Sequence, residues 1–551
     1  MSKLPLVLFQ VAMFVRALTL AAITGTAVAS PLRRNNQTET PSVDLGYEIH
    51  TAATTNVRRS SGGYYVFSNI PFAEQPIDDL RFHTVGLPQG NNSLVNNGST
   101  DVICMQSYPE WIIELTAQST GVPTEMMEQI MLSQPGQTEA CLVLDVYVPI
   151  DVFMRNATEP APVLVWIHGG GFTSGSKPSV GSPAGIIARS KMNNDEGLIV
   201  VSINYRLGLF GWLGAGGITP NLGLHDQRVA LEWVQKYINR FGGSKDRVTA
   251  IGESAGATSV LHHVTAYGGQ GSLPFAQGII QSPAFQFNLN LTDAYETTLK
   301  EVISNASQLA SLDSETLKAV NFGAAKGAPK GQFTYGPAPD GTYVPALPQV
   351  LLAQGRFHEK VKVMAGHNSL EAVPFVPTTI NSEADLIEAL VASFPEVANL
   401  THMLNTLYPA EAYANQFLRG VQLVGDVDFS CTTRYLALAL ENQTHNYIFA
   451  VPPGYHAQDT AYTFFNGDTS TLNDGVAVDP AIAAVLQDYI VGFAATGVPA
   501  DNPACTAPNF PLYGEDAAVV QITAQGVIAG KDDMANERCA WWQQAMVEGI
   551  V

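Results

Sequence analysis

Two patterns of hydrophobic positions alternate along the chain and predict strands separated by helices. Residues 163–167 and 198–203 are continuous apolar runs, which are typical of strands buried on both faces of a parallel sheet. In residues 226–240 the apolar side chains instead recur on one helical face, and two glycines end that pattern. Further strands are predicted from Tyr64 onward and at 142–148, 248–251, 278–281, 361–364 and 447–451. The alternation predicts an α/β fold with a large, mostly parallel central sheet flanked by helices.

The organisation of the chain favours one large domain, because no internal repeat or low-complexity tract interrupts it. We expect a loose, polar arm over residues 30–60 and a single domain over 60–551, with 290–440 mainly helical. Residues 105–140 are rich in large apolar side chains. They predict either a mobile apolar flap over a lipid-binding site or a fixed pair of core-packed helices, and both interpretations stay open.

The N-terminus predicts a secretory signal peptide over residues 1–29. Lys3 precedes two apolar runs, small residues at 27–29 fit a cleavage site, and Arg16 interrupts the runs in an unusual way. No other stretch is long enough to cross a bilayer. Eight N-x-S/T sequons support export and glycosylation. They are Asn36, Asn91, Asn97, Asn156, Asn290, Asn305, Asn399 and Asn442.

Composition and charge narrow the function classes. Hydrophobic residues make up 46% of the chain and charged residues 14%, as in a large globular enzyme rather than a disordered protein. The formal charge of −21 argues against nucleic acid and anionic membranes as partners. Five cysteines without a C-x-x-C pair predict no zinc site and, in an exported protein, two disulfides with one odd thiol.

Two glycine motifs together indicate an activated serine. Residues 252–256 form a G-x-S-x-G pattern between a predicted strand and a helix, which would expose the hydroxyl of Ser254; alone, this pattern is weak. Residues 168–171 read His-Gly-Gly-Gly directly after another predicted strand, and their spacing does not fit a dinucleotide-binding loop. We therefore assign the N–H groups of Gly170, Gly171 and Ala255 to an oxyanion hole beside Ser254.

From Ile70 to the C-terminus the sequence resembles the type-B carboxylesterase/lipase family of α/β-hydrolases, which includes cholinesterases and secreted fungal lipases. The departures, at Ala140, Ser244-Lys245 and Pro283, fall in loops. The resemblance implies an α/β-hydrolase fold and ester hydrolysis without a metal or cofactor. The matching stretches include 204–208, 221–227, 241–243, the Gly-Glu-Ser-Ala-Gly motif at 252–256, 493–497 and 539–542.

The resemblance also implies a catalytic triad in the order Ser, Glu, His. By resemblance Glu371 is the acid, because it follows a predicted strand at the expected place. Three histidines come later. His402 and His445 lie beside sequons and are interpreted as surface residues, whereas His456 follows a predicted strand in a loop that resembles the family's catalytic-histidine region. His456 is therefore the expected general base for Ser254.

The resemblance also assigns roles to two further carboxylates. By resemblance Glu253 and Asp459 share a buried polar network near the triad. The alternative is a pair of ordinary carboxylates on polar loops. The resemblance also implies disulfides Cys104–Cys141 and Cys431–Cys539, and it leaves Cys505 unpaired.

The leading hypothesis is a secreted serine hydrolase that cleaves small-molecule carboxylic esters through an acyl-enzyme. An alternative is a specialised esterase, lactonase or acyltransferase of a fungal secondary-metabolite pathway of the mycotoxin type. A non-catalytic, cholinesterase-like binding protein is the third hypothesis, and the complete set of triad residues argues against it. Contact with a lipid interface through residues 105–140 belongs to the lipase version of the first hypothesis. The sequence does not separate acyl and alcohol preferences, nor does it give the oligomeric state.

Overall fold

A computed structural model describes residues 40–550 of the chain, apart from ten short segments. Those segments are 57–62, 92–94, 156–158, 193–195, 215–216, 287–289, 302–305, 394–399, 468–476 and 500–507. The predicted signal peptide lies outside the described residues, as do Cys505 and the sequons at Asn36, Asn156, Asn305 and Asn399. None of the helices in the described part of the chain has the length and apolar character required to cross a membrane.

One large mixed sheet organises the described residues. It contains eleven strands in the order β14-β13-β12-β11-β10-β9-β7-β8-β6-β4-β3, and three short strands form a separate small sheet. The strands are β1 Ser42–Asp44, β2 Ile49–Thr51, β3 Thr54–Asn56, β4 Tyr64–Pro71, β5 Val95–Asn96, β6 Val143–Pro149, β7 Ala161–Ile167, β8 Ile199–Ile203, β9 Gly243–Glu253, β10 Gln277–Gln281, β11 Lys362–Asn368, β12 His445–Ala450, β13 Ala518–Thr523 and β14 Gly526–Lys531.

The middle of this sheet is parallel, as the continuous apolar runs predicted. Strands β13 to β9, then β7 and β8, pair in parallel, whereas β6, β4 and β3 at one edge and β14 at the other are antiparallel. Strand β7 is buried along its whole length. Its side chains alternate between two cores, with Val163, Val165 and Ile167 in one and Leu164 and Trp166 in the other.

Helices cover both faces of the sheet. The helix predicted at 226–240 forms as α6, and after a 3₁₀ turn Gly242 ends it in the left-handed region at φ 88°. The helices are α1 Glu110–Thr120, α2 Thr124–Leu132, α3 Ile150–Met154, α4 Ala184–Met192, α5 Gly208–Trp212, α6 Leu222–Tyr237, α7 Ala255–Thr265, α8 Leu291–Glu301, α9 Ser314–Lys326, α10 Pro348–Ala353, α11 Glu383–Ser393, α12 Leu400–Leu407, α13 Gln416–Gly425, α14 Cys431–Ala439, α15 Gln458–Thr463, α16 Pro480–Thr496 and α17 Glu537–Val547.

The expectation of a loose arm over 30–60 is wrong for the described residues 40–56. Strands β1 and β2 pair with each other, and Val43, Leu45 and Tyr47 are buried. The Tyr47 hydroxyl donates to the Pro71 carbonyl and accepts from Trp233 Nε1. Burial of these three apolar side chains against the main core stabilises the packing of this segment, although its average composition is polar.

Residues 105–140 fold as two packed helices, α1 and α2. Their contact is a small core of its own that also takes in Phe322, and its other members are Tyr108, Ile113, Ala117, Met127 and Met131. A disulfide between Cys104 and Cys141 closes the base of the segment. This packing is the one expected of a fixed helix pair, and opening of the segment stays a prediction.

The order of the strands creates a crevice at the carboxyl ends of the central strands. The chain passes from β7 to β8 on one side and later returns to place β9 on the other side of β7. Ligands in open α/β sheets bind at such a switch point, outside the carboxyl ends of the strands. Residues 168–171 follow β7 and Ser254 follows β9, so both glycine motifs lie at this crevice.

Candidate active site

Ser254 occupies a strained turn between strand β9 and helix α7. Its backbone has φ 55° and ψ −124°, a combination that costs energy for a residue with a Cβ and is held by the surrounding structure. Gly256 makes the turn sterically feasible, since a Cβ at this position would lie 2.0 Å from the Ile167 carbonyl oxygen. Helix α7 therefore lies close to the end of strand β7, which contains Ile167, and Ser254 lines a cavity.

The glycine loop after β7 lines the same cavity. Gly170 has φ 110°, and its carbonyl accepts the N–H groups of Thr173 and Ser174 at 3.2 and 3.0 Å, which folds the loop into a tight turn. Gly170, Gly171 and Ala255 all line the cavity with Ser254. Among the described residues we find no acceptor for the N–H groups of Gly170, Gly171 and Ala255. Three backbone donors are thus available beside the serine.

His168 supports this loop from beneath and is uncharged. Its ring stacks on Tyr205 with a centroid distance of 4.4 Å, and the Tyr205 hydroxyl donates to the His168 carbonyl at 2.8 Å. Burial lowers the pKa of His168 to about 4, so the imidazole is neutral at ordinary pH. The residue therefore fixes the backbone of the loop and does not exchange protons near pH 7.

Glu371 and His456 meet from loops at the ends of neighbouring parallel strands. Glu371 follows β11 and His456 follows β12, and the Leu370 N–H donates to the Gly454 carbonyl at 2.7 Å, which joins the two loops. His456 Nδ1 lies 2.6 Å from Glu371 Oε2, and both side chains are buried. The structure thus brings together the two residues that lie 85 positions apart in the chain.

Hydrogen bonds keep Glu371 ionised. Its Oε1 accepts the Ser282 hydroxyl at 2.6 Å and the Asn368 N–H at 2.5 Å. Burial alone would raise the pKa of Glu371, but the charge and hydrogen bond of His456, together with the bonds from Ser282 and Asn368, hold that pKa below its usual value. Glu371 is therefore an anion that accepts a hydrogen bond from His456 Nδ1–H.

The other nitrogen of His456 points toward the serine turn. Nε2 has no hydrogen-bond partner among the described residues and lies 3.4 Å from Oε1 of Glu253, the neighbour of Ser254 in the chain. The rings of Phe429 and Phe375 pack against His456 with centroid distances of 4.6 and 5.2 Å. The imidazole is thus fixed in one orientation, with Nδ1 bonded to the acid.

Glu253 and Asp459 are buried in the network that surrounds Glu371 and His456. They are therefore not ordinary solvent-exposed carboxylates on polar loops. Burial raises the pKa of Glu253 well above its usual value, and the charges of Asp459 and Glu371 raise it further. Asp459 Oδ2 accepts the Tyr447 hydroxyl at 2.6 Å, yet burial still raises the pKa of Asp459. The pKa values of Glu253 and Asp459 are therefore shifted upward, whereas the pKa of Glu371 is shifted downward.

The cavity above Ser254 is lined mainly by apolar and aromatic side chains. Helix α1 contributes Trp111, Ile112 and Leu115 to its wall. The Trp111 ring packs on Phe333 and Phe375, with centroid distances of 5.5 and 5.7 Å. Residues 105–140 therefore form part of the wall of the cavity above Ser254.

The carboxylesterase family matches this chain over residues 52–542. The chain belongs to that family. The carboxylesterase patB of Aspergillus clavatus is 36% identical and covers 92% of this chain and 96% of that relative. A patB carboxylesterase of Penicillium expansum is 34% identical over the same shares. A secreted lipase of Arthroderma benhamiae is 30% identical over 66% of this chain and 73% of that protein.

A solved structure of EstA from Aspergillus niger superposes with a TM-score of 0.77 and covers 93% of this chain and 99% of that one. At 23% identity this likeness shows the fold, and it confirms the α/β-hydrolase architecture predicted from the motifs. The protein is a serine ester hydrolase of the carboxylesterase family, and members of this family act on small-molecule esters.

The two histidines predicted to lie on the surface and the predicted sequons of this carboxylesterase differ in their exposure. His402 is exposed, as predicted. The interpretation of His445 as a surface residue is wrong, because it begins strand β12, is buried and bonds to the Pro511 carbonyl through Nδ1. Burial also lowers the pKa of His445.

Asn91, Asn97 and Asn290 are exposed and Asn442 is half-buried. The second disulfide, Cys431–Cys539, is present together with Cys104–Cys141.

Sequence reasoning missed Ser282 and Asn368, which orient Glu371. A signal was present in both cases. Ser282 follows β10 and Asn368 ends β11, so each lies at the carboxyl end of a parallel strand, the same criterion that applies to Glu371. The Asn368 side chain also donates to Ser282 Oγ at 3.0 Å and to Asp459 at 3.3 Å. The acid is thus held by a connected set of polar groups.

One group of side chains with metal-binding chemistry occurs among the described residues. His367, Asp532 and Asp533 have ligand atoms within 4.8 Å of one another. Asp532 already accepts the Tyr513 hydroxyl at 2.6 Å and the Met534 N–H at 2.9 Å. None of the three lines the cavity above Ser254. The group therefore has no part in the site described above.

Proposed function

We propose that this carboxylesterase hydrolyses carboxylic esters with Ser254 as nucleophile, His456 as general base and Glu371 as the orienting acid. The Glu371–His456 pair, at 2.6 Å, is the observation that carries the proposal. In this pair Nε2 of His456 lies beside Glu253, the residue that precedes Ser254 in the chain. Both lie at the crevice where the glycine loop supplies N–H donors. A positioned nucleophile, base and oxyanion site together favour acyl transfer.

In the first half-reaction His456 Nε2 takes the proton of Ser254 as Oγ attacks the ester carbonyl carbon. The π electrons of the carbonyl move onto its oxygen, and the N–H groups of Gly170, Gly171 and Ala255 stabilise that oxyanion. Collapse expels the alcohol oxygen, which takes the proton back from His456. The product of this half-reaction is an acyl-enzyme on Ser254.

In the second half-reaction water replaces the alcohol. His456 takes a proton from the water, the new oxyanion occupies the same donors, and collapse returns the proton to Ser254 and releases the acid. The ionised Glu371 stabilises the imidazolium in both halves. Substitution of Ser254 tests the proposal most directly: near-native ester hydrolysis by a serine-free variant would contradict it.

Lipase action is a second candidate function, favoured by the apolar wall from residues 105–140. The separate core of that segment and its disulfide favour a fixed wall instead. We therefore expect the hydrolysis rate of short-chain triglycerides to level off at their solubility limit, because the concentration of dissolved substrate stops rising there. A rate jump of about tenfold or more at the appearance of an oil interface would favour the lipase with a moving flap.

We also infer secretion and glycosylation. The signal-like residues 1–29, the exposed sequons and two disulfides support this, and one relative is described as a secreted lipase. Protein recovered from the culture medium is expected to begin at Ser30 and to lose mass on enzymatic removal of N-glycans. Retention of the first 29 residues, or an unchanged mass, would contradict the inference.

A further inference from the structure

Asp428 brings a carboxyl group to the wall of the cavity. It lies in a single π-helical turn, Asp426–Ser430, between helices α13 and α14, and its side chain lines the cavity with Ser254. The next residue, Phe429, packs its ring on His456. π-Helical turns inside helices are frequent at functional sites. The carboxyl group therefore lies on the part of the wall that adjoins the reacting centre.

The Asp428 carboxyl has no hydrogen bond or ion pair with another of the described residues, and burial without a partner raises its pKa well above the usual value. Asp426, in the same turn, differs in its contacts. Its Oδ2 accepts the Tyr408 hydroxyl at 2.9 Å and Arg538 Nε at 2.6 Å. One turn thus contains a paired acid and an unpaired one, and only the unpaired acid lines the cavity.

A second polar side chain lines the cavity near Asp428. Phe285 donates its N–H to the Asp428 carbonyl at 2.8 Å, and its ring lies 6.1 Å from the ring of His262. His262 lines the cavity too, and its Nδ1 has no partner among the described residues. Burial lowers the pKa of His262 to about 3, so this imidazole is neutral.

Unpaired polar groups in an apolar cavity cost free energy unless a ligand pairs with them. A cavity built only for hydrocarbon chains gains nothing from Asp428. Binding sites, in contrast, place a few polar groups in apolar walls to fix the orientation of a ligand. A carboxyl group accepts a hydrogen bond in either protonation state and also donates one when protonated, and a hydroxyl group can both donate and accept, so the two match.

We propose that Asp428 is a specificity-determining residue that hydrogen-bonds a hydroxyl group of the ester substrate, remote from the bond that is cleaved. The substrate class is then hydroxylated esters rather than esters of plain hydrocarbon chains. This inference rests on the proposed ester hydrolysis at Ser254. It concerns selectivity between esters and requires no change in the chemical steps.

Matched pairs of esters test the proposal on both sides of the cleaved bond. On the acyl side the pair is p-nitrophenyl heptanoate and p-nitrophenyl 6-hydroxyhexanoate. On the alcohol side it is the butyrate esters of 1-hexanol and of 1,5-pentanediol. The native enzyme is expected to prefer the hydroxyl member of one pair. Asp428→Leu should lower kcat/KM for that ester about tenfold, the typical effect of one lost hydrogen bond, and should not lower it for the methyl member.

Asp428→Asn keeps a donor and an acceptor and should retain most of the preference for the hydroxyl ester. Equal effects of Asp428→Leu on both members of each pair would overturn the proposal. So would a stronger preference for an ester that ends in trimethylammonium, because that result assigns Asp428 to a cation. p-Nitrophenyl acetate distinguishes failure of this inference from failure of the proposed function. If every variant hydrolyses this ester and no hydroxyl preference is found, this inference alone is wrong. If the native enzyme does not hydrolyse it, the proposed function is wrong.

Thermal stability gives a readout besides activity. Because folding raises the pKa of Asp428, the native state is penalised for an ionised carboxylate, and the penalty grows as the pH rises above the unfolded-state pKa. Asp428→Asn should therefore raise Tm by about 1–3 °C at pH 8 and by less at pH 4.

Asp226→Asn is the matched control. Asp226 is a fully buried aspartate that, unlike Asp428, is paired, with bonds to Arg206 Nε at 2.8 Å and Nη2 at 2.6 Å. Its substitution leaves the Arg206 charge buried and should lower Tm at pH 8. A fall in Tm for Asp428→Asn like that of the control would show a structural role for Asp428 and overturn the proposal.

Discussion

Ser254→Ala is expected to lower kcat for p-nitrophenyl butyrate by about 10⁵- to 10⁶-fold, the scale seen when a catalytic serine is removed from a triad. The hydroxyl is the only group that can form the proposed acyl-enzyme, so both half-reactions lose their covalent intermediate. Alanine fits the site, because the strained backbone at φ 55° is held by the adjoining strand and helix rather than by the hydroxyl. The substitution should therefore leave Tm within about 1 °C of native, since it removes one small polar group.

The control for contaminating esterase is Ser272→Ala, which changes an exposed serine on the surface. It should keep native activity through the same purification. A serine-directed organophosphate should add one phosphoryl group, with loss of its leaving group, to the native protein and to the control, and none to Ser254→Ala. Residual activity within tenfold of native in Ser254→Ala would place the nucleophile elsewhere.

Glu371→Gln is expected to lower kcat by about 10⁴-fold, as substitution of the orienting acid by its amide does in serine hydrolases. The surroundings of Glu371 dictate why. Ser282 and the Asn368 N–H both donate to Oε1, so the carbonyl oxygen of the glutamine is expected to take that position. Its NH₂ then faces His456 Nδ1 and holds the imidazole in the tautomer that carries its proton on Nε2. That tautomer has no lone pair to accept the Ser254 proton.

Glu371→Asp is the matched control, because it preserves the charge and loses only reach. Its kcat should fall less than that of the glutamine variant. If the two variants lost activity equally, the distance between acid and imidazole rather than the tautomer of His456 would be the controlling quantity. Activity of Glu371→Gln above about a tenth of native would remove Glu371 from the triad.

Much of the fold was predictable because burial on both faces leaves a strong local pattern. The runs at 163–167 and 198–203 became β7 and β8 with small shifts at their ends. Residues 40–56 were not predictable in the same way, since three apolar anchors in a polar segment produce no periodicity. The same applies to β13 and β14, whose alternation of buried and exposed positions is weak.

The sequence by itself determined the family, the sheet class, the serine turn and the glycine loop, because each of these depends on residues that are contiguous in the chain. The tertiary structure decided which distant side chains meet. Ser282 reaches Glu371 only because β10 and β11 are neighbours in the sheet. It also decided that Asp426 is paired whereas Asp428 faces the cavity alone. Hydrogen-bond partners and burial depend on chain segments far apart in sequence, and no local pattern records them.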